Sequence, residues 1–337
     1  MVAAVLFAVV AGGATCEAQT SAMPRLTMVV MDPLAKELSC PCVQGYAQRD
    51  YHRLAEFLQQ RLGQSVEVVF AESLVQATKE TEGRADLVIG KRSVVEFDAA
   101  RLQRAWRPVA ALTGKDGRTT QTGLIVVRAD DPAQGPADLK SHRLIFGPAE
   151  CEEKHAAALD LLKAHGVPLV EPRETVAGCE EGAVAILEMP PGKFGAAVIS
   201  SYAKPLLEGC GTVPKGAIRV VGETKPVPFV TAFTSSELND ELRRSLTAAL
   251  AAVAFDPELL IALESQRGFT TLDVAPAAAD ENAAEAGADA TPASSVNKKS
   301  PPLPARGPVG PVRGATVASL GCRRRFPTRR ISPGKRL

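Results

Sequence analysis

From residue 25 onward, short apolar runs of strand length alternate with longer segments whose apolar residues recur every three to four positions. "RLTMVVM" (25–31) is a continuous apolar run and predicts a buried strand. After the loop "DPLAKELSCPCVQG" comes "YAQRDYHRLAEFLQQRLG" (46–63). There Tyr51, Leu54, Phe57, Leu58 and Leu62 define one helical face, and Gly63 supplies the stop. "SVEVVFA", "ADLVIG" and "RPVAAL" predict further strands, with a helix over "SLVQATKETEGR" between the first two. Strands alternating with helices in this way predict a parallel sheet with helices on its faces.

A second series follows from Thr122. "GLIVVRA", "RLIFG", "PLVEPRET", "FGAAVIS" and "IRVVGET" predict strands. "GPADLKSH" predicts a short helical turn, and "CEEKHAAALDLLKAHG" (151–166) and "CEEGAVAILEM" predict helices. In the first of these helices Leu159, Leu162 and His165 share the inward stripe. "VPFVTAFT" is extended, "SSELNDELRRSLTAALAAVA" predicts a long helix capped by Ser236, "DPELLIALES" a further helix, and "RGFTTLD" closes the folded region.

Composition changes this picture at both ends. The 337 residues are 45% hydrophobic, enough for a sizeable core, and the length suits one bilobal domain or two domains. The net charge of +1 is unevenly spread: residues 276–337 carry 11 Lys/Arg against 4 Asp/Glu, which leaves the remainder mildly acidic and without a nucleic-acid footprint. Residues 276–337 are Ala/Pro-rich and then basic, too poor in large apolar side chains to offset the entropy of ordering, and are expected to be a disordered tail. Residues 1–22 hold an apolar run too short to span a bilayer, followed by small residues. They are expected to be an export signal or a lipoprotein-like leader, with Cys16 as the lipid-attachment candidate. No nucleophile elbow, Walker loop or dinucleotide fingerprint is present, and an enzyme is not expected.

The segments "YHRLAEFLQQRLGQSVEVVFAESL", "GRADLVIG", "PADLKSHRLIFG", "LLKAHGVPL", "AAVISSYAKPLL" and "IRVVGETKPVPFVTAF", in this order over roughly residues 25–275, resemble the phosphate/phosphonate-type periplasmic substrate-binding proteins of ABC importers. The resemblance implies an α/β, two-lobed class II periplasmic-binding-protein-like fold, each lobe a mainly parallel sheet flanked by helices, joined by two crossover hinge segments near residues 118–123 and 223–229. Lobe one would comprise 24–120 plus 225–275, and lobe two 121–224. It further implies an exported, monomeric protein of the periplasm or cell envelope that closes on a small-molecule or ion ligand and delivers it to ABC permease subunits. No nucleic-acid partner is expected, and membrane contact would come only through a lipid anchor or the basic tail. The alternative is a ligand- or redox-sensing clamshell without transport.

On that fold the cleft would be lined at strand C-terminal ends and helix starts. Candidate ligand contacts are Cys40, Cys42, Tyr46, Lys91, Cys151, Cys179, Ser200, Ser201 and Tyr202. In phosphonate-binding relatives the loop after the "DLK…F" strand carries hydroxyls that cradle an anion. Here it reads "GPAECEEKH", placing Glu150, Glu152 and Glu153 where the anion would sit. Two like charges about 4 Å apart repel by roughly 4 kcal/mol at an effective dielectric near 20. Three readings are open for the cysteines: a disulfide between Cys151 and Cys179; a soft or borderline ion, Zn²⁺ or Cu⁺, on Cys40, Cys42, Cys151, His155 and Cys179; or inert buried thiols. The helix starts would favour thiolate at Cys151 and Cys179.

Overall fold

The computed structural model describes residues 25–39 and 48–272. The expectations for the leader, Cys16, Cys40, Cys42, Tyr46 and the tail from residue 273 lie outside the described residues. Two sheets organise the chain. The first contains β1 (Arg25–Met31), β2 (Ser65–Phe70), β3 (Leu87–Lys91), β4 (Trp106–Leu112), β12 (Val230–Ser235) and β13 (Phe269–Thr271), in the order β13-β4-β12-β3-β1-β2. Strands β2, β1 and β3 are parallel, and β12 runs antiparallel between β3 and β4. The second contains β6 (Gly123–Arg128), β7 (Arg143–Phe146), β8 (Glu174–Thr175), β9 (Gly195–Ser200) and β10 (Ile218–Glu223), in the order β10-β6-β9-β7-β8. Between the sheets pass two crossovers, which pair antiparallel as β5 (Thr120–Gln121) and β11 (Val227–Pro228). The fold is two-lobed and mixed α/β.

The period-two alternation of each strand supplies both faces of its sheet. In β1, Leu26, Met28 and Val30 join the core under α1 (Tyr51–Leu62), α7 (Asp240–Ala252) and α8 (Pro257–Ala262). Val29 and Met31 face the opposite core, with α2 (Leu74–Glu80) and α3 (Arg92–Leu102). Lobe two repeats the arrangement. Ile125 and Val127 of β6 pack with Leu159 and Leu162 of α4 (Ala156–Ala164). Val126 packs with Ile186 of α5 (Cys179–Leu187) and Leu207 of α6 (Ala203–Gly209).

Local chemistry sets the element ends. Helix α1 starts at Tyr51 because the Asp50 carboxylate accepts from the backbone N–H groups of His52 (3.1 Å) and Arg53 (3.3 Å). It stops at Gly63, whose φ of 65° lies in the left-handed region. Several expectations are corrected. The long helix near residue 240 is capped by Asn239, which accepts from Leu242 N–H at 2.8 Å, while Ser235 to Leu238 form a turn; Ser236 caps nothing. The segment starting at Cys151 opens with a single 3-10 turn, Glu152–Lys154, and the α-helix begins only at Ala156. His165 closes that helix and is exposed, off the inward stripe. "PLVEPRET" contributes only Glu174–Thr175 to the sheet. Helices α3 and α6 were not anticipated: α3 buries only Val95 and Asp98 outright, with Val94, Ala99 and Leu102 half-buried beside them, so its apolar stripe is weak, and α6 is short with a proline in its first turn.

Candidate functional site

The C-terminal ends of β1, β3, β6-adjacent β9 and β7 all open toward the space between the lobes, the position where open α/β sheets place ligands. Two buried clusters and one cavity occupy it.

The first cluster belongs wholly to lobe one. Asp32 follows β1 and is fully buried. Its Oδ2 accepts from the Arg49 guanidinium at 2.8 Å and from the Tyr51 hydroxyl at 2.5 Å, and its Oδ1 accepts from Leu34 N–H at 2.9 Å. Burial works against the Arg49 charge, but Asp32 more than offsets it and holds the guanidinium above its ordinary range. Burial, reinforced by Asp32, likewise pushes the Tyr51 phenol up and keeps it neutral. The Arg49 guanidinium lies over the Phe229 ring, 5.7 Å from its centre, and Tyr202 of lobe two stacks on the same ring at 5.4 Å.

The second cluster joins the lobes. Lys91, the last residue of β3, donates from Nζ to Glu153 Oε1 at 2.5 Å. Ser200, the last residue of β9, donates to the same oxygen at 2.7 Å. All three residues are buried, Glu153 completely. Its second oxygen, Oε2, is buried with no protein partner. Burial pushes the Glu153 carboxyl up, but Lys91, with help from Ser200 and Lys154, holds it below the usual carboxylate range. Burial also opposes the Lys91 charge, and Glu153 reverses that and holds the ammonium above its ordinary range. Beside the pair, Ser93 of α3 donates to the Glu150 carbonyl at 2.8 Å and accepts from Glu152 N–H at 3.3 Å. The turn's backbone packs so tightly on the crossover that a β-carbon at Gly123 would overlap the Glu153 carbonyl oxygen.

The cavity, about 500 Å³, lies along the crossovers and takes walls from both lobes. Its floor includes Arg49, Gln121, Tyr202 and Phe229; Lys115, Asp116, Arg118, Glu223 and Glu264 bring both charge signs to its wall and rim. Lys115 pairs with Glu264 at 2.9 Å, and the Thr122 hydroxyl donates to Glu223 at 2.8 Å.

The structure distributes the sequence-derived site residues unevenly. Lys91 and Ser200 meet at one carboxylate. Ser201 and Tyr202 line the cavity, where the Ser201 hydroxyl accepts from Thr122 N–H at 3.2 Å. Cys179 begins α5 as expected, and its sulfur lies 3.4 Å from Ser200 N. Cys151 is buried ahead of the 3-10 turn rather than at an α-helix mouth. Burial pushes its thiol up despite Lys91 and Lys154, which corrects the expected thiolate. Cys151 and Cys179 are free thiols, so no disulfide joins them. His155 is held by its Nδ1, 2.9 Å from the Gly147 carbonyl. Among the described residues no group of three His, Cys, Asp or Glu side chains converges to hold a metal ion. Asp32, Arg49, Gln121, Phe229 and Glu264 escaped sequence reasoning. Glu153 was noted there for its charge, not as a partner of Lys91, 62 positions away.

A pair of sheet-and-helix lobes, two crossovers and a cavity walled by both lobes define a two-lobed solute-binding protein. A sequence profile described as "ABC transporter, phosphonate, periplasmic substrate-binding protein" matches residues 44–279, and the chain belongs to that family. Among solved structures it is similar to a Xanthomonas citri protein bound to ATP, with 18% identity, 74% of this chain and 91% of that chain covered and a TM-score of 0.56. The binding-protein component of an ABC phosphonate transporter from Pseudomonas aeruginosa is 15% identical, with 74% and 82% covered and a TM-score of 0.55. PhnD1 of Prochlorococcus marinus in complex with methylphosphonate is 14% identical, with 74% and 92% covered and a TM-score of 0.54. No curated protein matches. At these identities the likeness concerns the fold. The family is one of binding proteins, not enzymes, that act in the periplasm with ABC permease subunits. Among the described residues no helix is long and apolar enough to cross a membrane.

Proposed function

We propose that this protein captures a small organic oxyanion that also carries a cationic or hydrogen-bonding group, and holds it in the cavity along the crossovers for delivery to an ABC permease. The observation that carries this reading is the cavity itself. Its volume of about 500 Å³ falls within the usual range for small-molecule sites, and its walls come from both lobes and both crossovers. A solute held there touches both lobes only when they are together, so binding shifts the population toward the closed form that a permease can read. The oxyanion part follows the family, and the cations that would turn to it are Lys115 and Arg118, which pair with Glu264 and Asp116 and would leave those carboxylates to the solute's second group. The second group follows from Asp116, Glu223 and Glu264 on the same cavity, which would repel a solute that was anionic throughout. The Tyr202–Phe229 stack offers an apolar surface for the carbon skeleton.

The test is calorimetric titration with two solute sets, plain oxyanions (phosphate, methylphosphonate, sulfate) and oxyanions bearing an amino or hydroxyl group. The expected result is saturable binding confined to the second set, weakened at least tenfold by Tyr202→Ala. Binding of the plain set with equal affinity, or indifference to Tyr202→Ala, would contradict the reading.

A further inference from the structure

We propose that Lys91 and Ser200 form an oxyanion site shared by the two lobes and that Glu153 fills it from within, so that this residue decides which anions the cleft rejects. The inference rests on the reading that the space between the lobes is the solute site.

Lys91 and Ser200 sit at the C-terminal ends of strands in different sheets, yet both donate to one oxygen. An ammonium and a hydroxyl converging from two lobes is the donor set that a free carboxylate, phosphate or phosphonate would need. That place is taken by a carboxylate of the chain, fully buried, with one of its two oxygens left without a protein partner. A carboxylate recruited only to satisfy Lys91 would be expected to use both oxygens, as Asp32 does.

Charge points the same way. The groups facing Glu153 are Lys91 from lobe one and Ser200, Lys154, Cys151 and Tyr202 from lobe two. Lys154 is itself buried, its ammonium donating to the Ala177 carbonyl at 3.1 Å. The one ammonium in contact with this carboxylate is that of Lys91, and Lys154 adds positive charge from farther off. Removing Glu153 leaves the buried Lys91 uncompensated beside an emptied volume, and an external anion of similar size is the occupant that restores balance. With Glu153 in place an entering oxyanion meets a like charge in a low-dielectric site and is turned away.

The experiment is anion rescue. Wild type, Glu153→Ala, Glu153→Gln and Lys91→Met/Glu153→Leu are melted in chloride-free buffer with increasing acetate or inorganic phosphate. Glu153→Ala is expected to melt lower than wild type and to recover about 5–10 °C, saturably, at a hundredfold excess of anion over its dissociation constant. Wild type and the double variant are expected to show no saturable rise, and Glu153→Gln, whose amide fills the volume, far less than Glu153→Ala. If Glu153→Ala is unfolded without added anion, folding on addition of acetate is the same result. Equal response of the wild type, or of the double variant, or no response of Glu153→Ala, overturns the proposal. Solute titration of the cavity in Tyr202→Ala is read separately, so failure of the cavity reading leaves the rescue interpretable, and the reverse.

Discussion

Among the described residues, the Asp32–Arg49 and Lys91–Glu153 pairs are both buried at strand ends, and they differ in what they join. Asp32 and Arg49 both belong to lobe one, and the aspartate spends both oxygens on partners of its own lobe: a guanidinium, a phenol and a backbone N–H. Lys91 and Glu153 come from opposite lobes, and the glutamate leaves one oxygen unpartnered. The first pair fixes the exit of β1 against the start of α1 and gives Phe229 a cation to lie against. The second stands between the two lobes. A buried pair is weak evidence for stability, since a hydrophobic pair of equal volume often does as well. Its location is therefore the better guide to its role: within a lobe it holds shape, and between lobes it sets which solutes the cleft accepts.

Substitutions separate the two pairs. The largest effect is expected from Asp32→Ala, which strands a buried guanidinium and a phenol. Denaturant unfolding should show a loss of about 3–5 kcal/mol. Glu153→Ala should cost about 3 kcal/mol by the same measurement, and here acetate or phosphate should restore most of the loss. Tyr51→Phe, which removes one of three partners of Asp32, should cost about 1–2 kcal/mol. Lys91→Met/Glu153→Leu should unfold within about 1 kcal/mol of wild type, because the desolvation of both charges disappears together with their attraction.

Acidity sharpens the same contrast. The Glu153 carboxyl is held below its ordinary value of 4.5 by Lys91, so the pair's contribution is fully present above that value and is lost as pH falls through the lowered one. Stability of wild type and Glu153→Gln, followed from pH 7 down to 2, should converge only at the acid end of that window. Lys91, held above its ordinary value of 10.5, reports the same interaction from the other side: its contribution is complete below that value and is lost only as pH rises beyond it.

Much of this architecture was legible in the residues. Continuous apolar runs such as "RLTMVVM" announced strands buried on both faces, and Gly63 announced the end of α1. Helix α3 was not legible because its stripe of Val95, Ala99 and Leu102 is half-buried and interrupted by the buried Asp98. The start of α4 misled because "CEEKHAAALD" has helical composition throughout, while tertiary contacts pull residues 150–154 onto Ser93 and Gly123 and tighten them into a 3-10 turn. Of the site, Lys91, Ser200, Ser201 and Tyr202 could be placed because strand ends are recognisable. Their partners could not, since Glu153 and Lys91, or Arg49 and Phe229, meet only through the packing of one sheet or lobe against another. Cys151 and Cys179 drew attention to sulfur, whereas it is Glu153, two residues past Cys151, that reaches Lys91 of the other lobe.

The most direct measurement is a crystal structure of the wild-type protein soaked in methylphosphonate, compared with Glu153→Ala treated in the same way. The expected result is Glu153 on Lys91 and Ser200 in the wild type, with no oxyanion between them, and a bound phosphonate on those two residues in the variant. A wild-type crystal in which Glu153 has swung aside and the phosphonate rests on Lys91 would contradict it.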